Sequence, residues 1–216
     1  MKGTLNGRAV TTTAQLVLPG LPESTVAAED LGDTWSTPPA LTRGVVALTG
    51  VGLGVDVCAE AWSAKAAVWW GPGSPHGEDG LAEDWRVWGD VARWCNPPYA
   101  AIDPWVARAL ALEAAPAPGW LLVPARTDRG WWHALDAAAE RLRAWVTWIE
   151  GRIEFSPPPG VVTKNRAPGG VVLWQVGGRR RLFPRRIHKE ALLGAHNRVA
   201  PGGVTELGQG KPPEAS

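Results

Sequence analysis

Cysteine is nearly absent. The 216-residue chain has two, Cys58 and Cys95, without paired spacing, and its four histidines are scattered. That argues against a disulfide framework and gives no support for a zinc site. Tyrosine occurs once and phenylalanine twice, against fourteen tryptophans. A GC-rich coding sequence produces this bias along with abundant Ala, Arg, Gly and Pro, so the tryptophan count carries no functional meaning. No apolar run approaches the roughly 20 residues of a membrane span. The N-terminus has no apolar stretch of the signal-peptide kind. The expectation is a soluble, cytoplasmic protein with no metal and no membrane contact.

The length suits one α/β domain, and 45% hydrophobic residues suffice for a substantial core. Net charge is only +1 but uneven. Residues 179–216 hold eight Lys/Arg and three Glu, giving +5, so residues 1–178 carry −4. A basic end on a near-neutral body is compatible with a polyanionic partner, and equally with a solvated tail.

Breakers divide the chain into three parts: a flexible arm over 1–29, a folded domain over 30–182, and a basic, Pro/Gly-rich tail over 183–216. Within the domain, 41–48 reads as helix or short strand and 54–59 as a buried strand ending in a carboxylate. Residues 59–70 have helical composition, and 71–80 are loop. Residues 91–95 read as a strand that stops at Asn96-Pro97-Pro98-Tyr99, because two prolines cannot continue a central ladder. Asp103 as N-cap and Pro104 in the first turn open a helix that runs to about 115. Residues 120–124 form a buried strand and 128–142 a helix. Residues 145–149 and 152–155 read as a hairpin, and 171–176 as the last strand. Strands alternate with helices and antiparallel strands come late. The pattern predicts a mostly parallel sheet with an antiparallel edge and helices on both faces.

Asn96-Pro97-Pro98-Tyr99 sits where an open α/β sheet presents its ligand crevice. As a plain structure it is a Pro-Pro turn capped by Asn. As chemistry it suits methylation of a conjugated amine, whose lone pair is delocalised into its ring. The Asn96 side-chain oxygen and the Pro97 carbonyl can accept from both N–H bonds and draw the nitrogen toward a tetrahedral, nucleophilic state. The prolines hold those acceptors still. Tyr99 offers a flat face for an extruded base.

With this motif in place, the chain resembles the phage-type, Dam-like DNA N-6-adenine-methyltransferases over about 33–176. Asp33-Thr34-Trp35-Ser36-Thr37-Pro38 is similar to the family's Asp-x-Trp-x-Thr-Pro entry, and Asp56-Val57-Cys58-Ala59 to its first strand. Asp79-Gly80-Leu81, with Trp85 beyond, resembles its Asp-Gly-Leu segment, and Trp94-Cys95-Asn96-Pro97-Pro98-Tyr99 its catalytic motif. Leu122-Val123-Pro124-Ala125-Arg126-Thr127-Asp128, with Trp131-Trp132-His133, resembles the next strand and helix start, and Gly151-Arg152-Ile153-Glu154-Phe155 its late segment. Six weak motifs in order make a strong one. The resemblance implies a Rossmann-like methyltransferase domain over 30–182 that binds S-adenosylmethionine and acts on adenine in DNA, encoded by a phage or prophage for DNA modification against restriction. It implies that Asp56 lies near the cofactor's methionine or ribose, that Thr37 and Pro38 approach the methionine part, and that Asp79 accepts from its adenine amine with Leu81 on the ring. Cys58-Ala59-Glu60 stands where most methyltransferases have a Gly-rich turn. Gly50-Val51-Gly52-Leu53-Gly54 precedes the strand and is a lead-in.

Other residues have plainer readings beside functional ones. Trp131 and Trp132 suit core packing, Cys95 an inert buried thiol, and Arg126 either a phosphate contact or an ion pair. Arg179, Arg180, Arg181, Arg185, Arg186 and Lys189 are the candidates for DNA phosphate contact, which gives affinity without sequence information. Two other functions stay open. One is amine methylation of RNA adenine, cytosine or protein glutamine. The other is an inactive methyltransferase-like domain that only binds nucleic acid.

Overall fold

In the computed structural model, which describes residues 13–16, 24–27, 35–88, 90–141, 143–162 and 169–197, the elements follow one another as β1 (Thr13–Leu16), β2 (Ser24–Ala27), α1 (Pro39–Thr49), β3 (Leu53–Asp56), β4 (Val68–Trp69), a 3-10 turn (Trp85–Trp88), β5 (Ala92–Cys95), α2 (Ile102–Leu110), β6 (Gly119–Pro124), α3 (Gly130–Glu140), β7 (Ala144–Glu150), β8 (Val161–Val162), β9 (Val171–Val176), β10 (Arg186–His188), α4 (Lys189–Leu193) and a second 3-10 turn (Ala195–Asn197). Seven strands form one sheet in the order β10-β7-β9-β6-β5-β3-β4. Strands β4, β3, β5 and β6 are parallel, β9 runs antiparallel between β6 and β7, and β10 is parallel to β7.

The two-residue period of the strands separates two cores. On one face Leu121 and Val123 of β6 and Val172, Trp174 and Val176 of β9 pack with Trp105 and Val106 of α2 and Trp132 and Leu135 of α3. On the other, Trp120, Leu122, Val171 and Leu173 pack with Leu41 and Val45 of α1 and Leu192 of α4. Every residue of β6 and β9 is therefore buried, which explains their continuous apolar runs. The helices show the matching stripe: α2 buries Ile102, Trp105, Val106 and Ala109.

Four expectations from the sequence need correction. Residues 59–70 are not helical; they form turns that end in β4. Side-chain acceptors compete there for the amides a helix would use: Ser63 Oγ takes the Glu60 N–H at 2.9 Å and Asp56 takes those of Cys58 and Lys65. Residues 152–155 do not pair with β7, because β9 and β10 already occupy both its edges. That segment instead carries Ile153 and Phe155 into the core, and Ser156 exchanges backbone bonds of 2.8 Å with Ser36. Helix α2 begins at Ile102 after Ala101, with Asp103 in its first turn, and ends at Leu110.

Strand β9 is also not the last, for residues 183–197 continue the fold. Phe183 is buried with its ring edge-on to Trp120 at 5.6 Å, and β10 extends the sheet. Helix α4 lies against α1, whose Gly44 makes room for it: a Cβ there would stand 1.9 Å from the Leu192 carbonyl oxygen. Within the expected N-terminal arm, β1 pairs with β2 and with β8 in a separate three-stranded sheet; the arm's other residues, and those of the tail beyond 197, lie outside the described residues.

Leu192 tests this boundary. Leu192→Ala is expected to cost about 3 kcal/mol, as for a buried leucine, in urea unfolding. A loss below about 0.5 kcal/mol, typical of solvated positions, would return α4 to the tail.

Candidate active site

Successive strands leave β3 in opposite directions. The chain passes from β3 to β4 on one side, then crosses to β5 on the other. Connections at the carboxyl ends of β3 and β5 therefore diverge, and a crevice opens between them. It has a volume of about 490 Å³, within the roughly 300–1,000 Å³ of small-molecule sites. Its walls come from 35–37, the turn after β3, Trp70 to Pro72, Glu78 to Gly80, and Asn96, Pro98 and Trp105.

Asn96 follows β5 directly. Its Nδ2 donates to the Trp35 carbonyl at 3.2 Å, which fixes the amide's orientation. Its Oδ1 is buried and has no hydrogen-bond partner among the described residues. The result is a held, buried acceptor on a residue that lines the crevice. Pro97 is buried, and Tyr99 is half-buried with its ring edge-on to Phe155 at 6.2 Å and 86°.

Asp56 ends β3 and is 2% exposed. Its oxygens accept the Cys58 N–H at 3.3 Å and the Lys65 N–H at 3.0 Å. The carboxylate thus organises the turn that stands in place of a Gly-rich one. Burial pushes its pKa up to about 7, against the opposing pull of those amides and of the Lys65 ammonium. Lys65 Nζ donates to Ser36 Oγ at 2.6 Å and to the Ser63 carbonyl. Burial lowers its pKa, with Asp56 opposing. Gly80 lies close over this turn, since a Cβ there would meet the Val57 oxygen at 1.8 Å. Burial raises both thiols, Cys58 and Cys95, which keeps them protonated.

Of the residues singled out from sequence, Thr37, Asp56, Asp79, Asn96 and Pro98 line the crevice together. Pro38, Leu81, Pro97 and Tyr99 flank it without lining it. Leu81 packs into the core beneath, and its N–H bonds Asp79 Oδ1 at 2.8 Å. Sequence reasoning passed over Trp35, Ser36, Ser63, Lys65, Trp70 and Trp105, all on the wall. Trp35 and Ser36 stood inside a motif already noted. Lys65 left one signal, being the only lysine between positions 3 and 163.

The basic run is spread across the sheet. Arg179 and Arg180 are exposed beyond the end of β9, which pairs with the starts of β6 and β7. They lie at the edge opposite the crevice. Gln175 holds that loop, donating to the Gly177 and Arg180 carbonyls and accepting the Leu182 N–H. Arg181 turns inward, its guanidinium donating to the Phe183 and Val146 carbonyls. Arg185 is exposed, and Arg186 pairs with Glu150 at 3.3 Å. Lys189 follows β10 at the crevice's edge of the sheet.

The raised Asp56 pKa has a thermodynamic sign. A carboxyl whose pKa rises from 3.8 to about 7 on folding contributes stability that is full below the lower value and lost as pH rises through the upper. Asp56→Asn removes that dependence. The variant's stability relative to wild type, read from urea midpoints, is expected to rise between about pH 4 and about pH 8; a constant difference would contradict the assignment.

The seven-stranded sheet, with one antiparallel strand inserted near its end and helices on both faces, is a Rossmann-like methyltransferase fold. No curated protein matches the sequence. A family model, DNA N-6-adenine-methyltransferase (Dam), matches residues 24–188, a span that takes in β3, β5, the crevice and the Asn96 turn, and the chain belongs to that family.

Proposed function

We propose that this methyltransferase moves the methyl group of S-adenosylmethionine to the N-6 amine of adenine in DNA. The observation that carries the reading is the Asn96 amide, with Nδ2 tied to Trp35 and Oδ1 left as a buried acceptor. The adenine N–H bonds donate to Asn96 Oδ1 and the Pro97 carbonyl, which localises the nitrogen lone pair. Because Trp35 fixes the amide beforehand, little reorganisation accompanies the reaction. Tyr99, braced by Phe155, offers its ring to the extruded base. The proton released from nitrogen leaves to water, so no strong base is needed.

S-adenosylmethionine, when bound, supplies an electrophilic methyl. The crevice fits such a polar ligand, because Thr37 Oγ1 and Trp70 Nε1 are buried on its wall with no partner among the described residues. Thr37 and Pro38 would hold the methionine portion. Asp79, whose Oδ1 also bonds the Leu81 N–H, would accept from the adenine amine, and Trp105 rather than Leu81 is the apolar wall beside it. Among the basic residues, Arg126, Arg186 and Lys189 are best placed for phosphate, being toward the crevice's edge of the sheet. Resemblance to phage-type enzymes supports DNA modification against restriction in the cytoplasm of a bacterial host.

Incubation with tritiated S-adenosylmethionine and unmethylated DNA, RNA or protein, followed by digestion, is expected to give labelled methyladenine from DNA. Label in RNA, cytosine or glutamine would overturn the DNA-adenine reading. Asn96→Ala is expected to lower kcat at least about 100-fold with calorimetric cofactor affinity retained. Undiminished turnover would place the catalytic centre elsewhere.

A further inference from the structure

The Lys65 ammonium stands in a crevice also lined by Asp56, Glu60, Glu78 and Asp79, yet it keeps a donor to spare. Lys65 is half-buried and lines the crevice. Two of its three protons go to neutral oxygens, Ser36 Oγ and the Ser63 carbonyl. It makes no direct salt bridge among the described residues. Asp56, whose oxygens accept the backbone amides of Cys58 and Lys65, favours the Lys65 charge from nearby but makes no direct ion pair with it. One residue beyond Ser36, Thr37 lines the crevice and is 2% exposed, and its hydroxyl is buried without a partner among the described residues. A cation with a donor to spare and a hydroxyl without a partner are thus linked through Ser36, one residue from Thr37.

We infer that Lys65, with the Thr37 hydroxyl, binds the α-carboxylate of the cofactor's amino-acid portion. Position separates the carboxylate from the cofactor's other polar groups. The segment 35–37 touches Asn96 at one residue and Lys65 at the next: Trp35 oxygen to Asn96 Nδ2 is 3.2 Å, and Ser36 Oγ to Lys65 Nζ is 2.6 Å. The cation therefore stands close to the amide that receives the reacting amine. In S-adenosylmethionine the carboxylate is the anionic group, joined to the sulfonium through three carbons, whereas the adenine lies beyond the ribose. A ligand whose methyl faces Asn96 brings its carboxylate to this cation. Ser36 and Ser63 orient the ammonium, and the turn organised by Asp56 delivers it, which gives the turn lacking glycines a binding role.

This inference rests on the proposed cofactor, and binding separates the two. By calorimetry, wild type is expected to bind S-adenosylhomocysteine about 10- to 100-fold more tightly than its decarboxylated analogue, the range for a charge-assisted hydrogen bond. Lys65→Met is expected to lose that preference by weakening only the carboxylated ligand, while Lys65→Arg keeps most of it. Equal weakening of both ligands, or of neither, overturns the role of Lys65 and leaves the cofactor reading intact. Failure of wild type to bind either ligand overturns both. Should Lys65→Met not fold, Thr37→Val serves in its place: its effect is expected to be confined to the carboxylated ligand, and an equal effect on both counts against the assignment.

Discussion

A buried carboxylate must find hydrogen-bond donors or give up its charge, and Asp56 at the end of β3 does something of each. It collects the amides of Cys58 and Lys65, which bends the following residues into a tight wrap around it. The wrap returns the chain beside β3 as β4, with the Trp70 N–H donating to the Asp56 carbonyl at 2.9 Å. Gly80 can then close over Val57. One wall of the crevice follows from this single acid. Another part of the wall comes from Asn96, which is bound to the Trp35 carbonyl beside it.

These two parts of the wall are joined by the 35–37 segment, and that junction couples the fold to the chemistry. Trp35 orients Asn96 through its backbone carbonyl, so the contact depends on the path of the chain and not on the indole. That path is fixed at one end by α1, which starts at Pro39, and at the other by the paired bridge from Ser36 to Ser156. The early and late segments of the domain thus meet beside the amide that positions the substrate.

How much of this could be read from sequence depends on the range of the forces involved. The largely apolar runs of β6 and β9, the proline stop after β5 and the period of α2 are local signals, and each appears in the fold. The Asn96 turn was legible because its chemistry is carried by adjacent residues. Residues 59–70 misled because helix propensity is weak, and Asp56 and Ser63 compete for the same amides. The expected hairpin failed because β7 finds its neighbours in β9 and β10, one of them a three-residue strand too short to leave a pattern. Lys65 left only its isolation among lysines as a signal, because the wrap around Asp56 is what carries it to Ser36, 29 residues away. The basic run looked like one patch in sequence, yet Gln175 and Arg181 fold its first part toward the opposite edge of the sheet.

The ends of the large sheet are built differently from its centre. Its outermost strands are β4, two residues long, and β10, three residues long with Arg186 and His188 exposed. An unpaired strand edge is a template for another chain, and its danger grows with length and apolar character. Here the long, fully buried strands lie inside, and the rims are short at one side and charged at the other. The seven-stranded sheet therefore ends without a ladder long enough to recruit a strand from a neighbouring molecule, a safeguard against edge-to-edge aggregation.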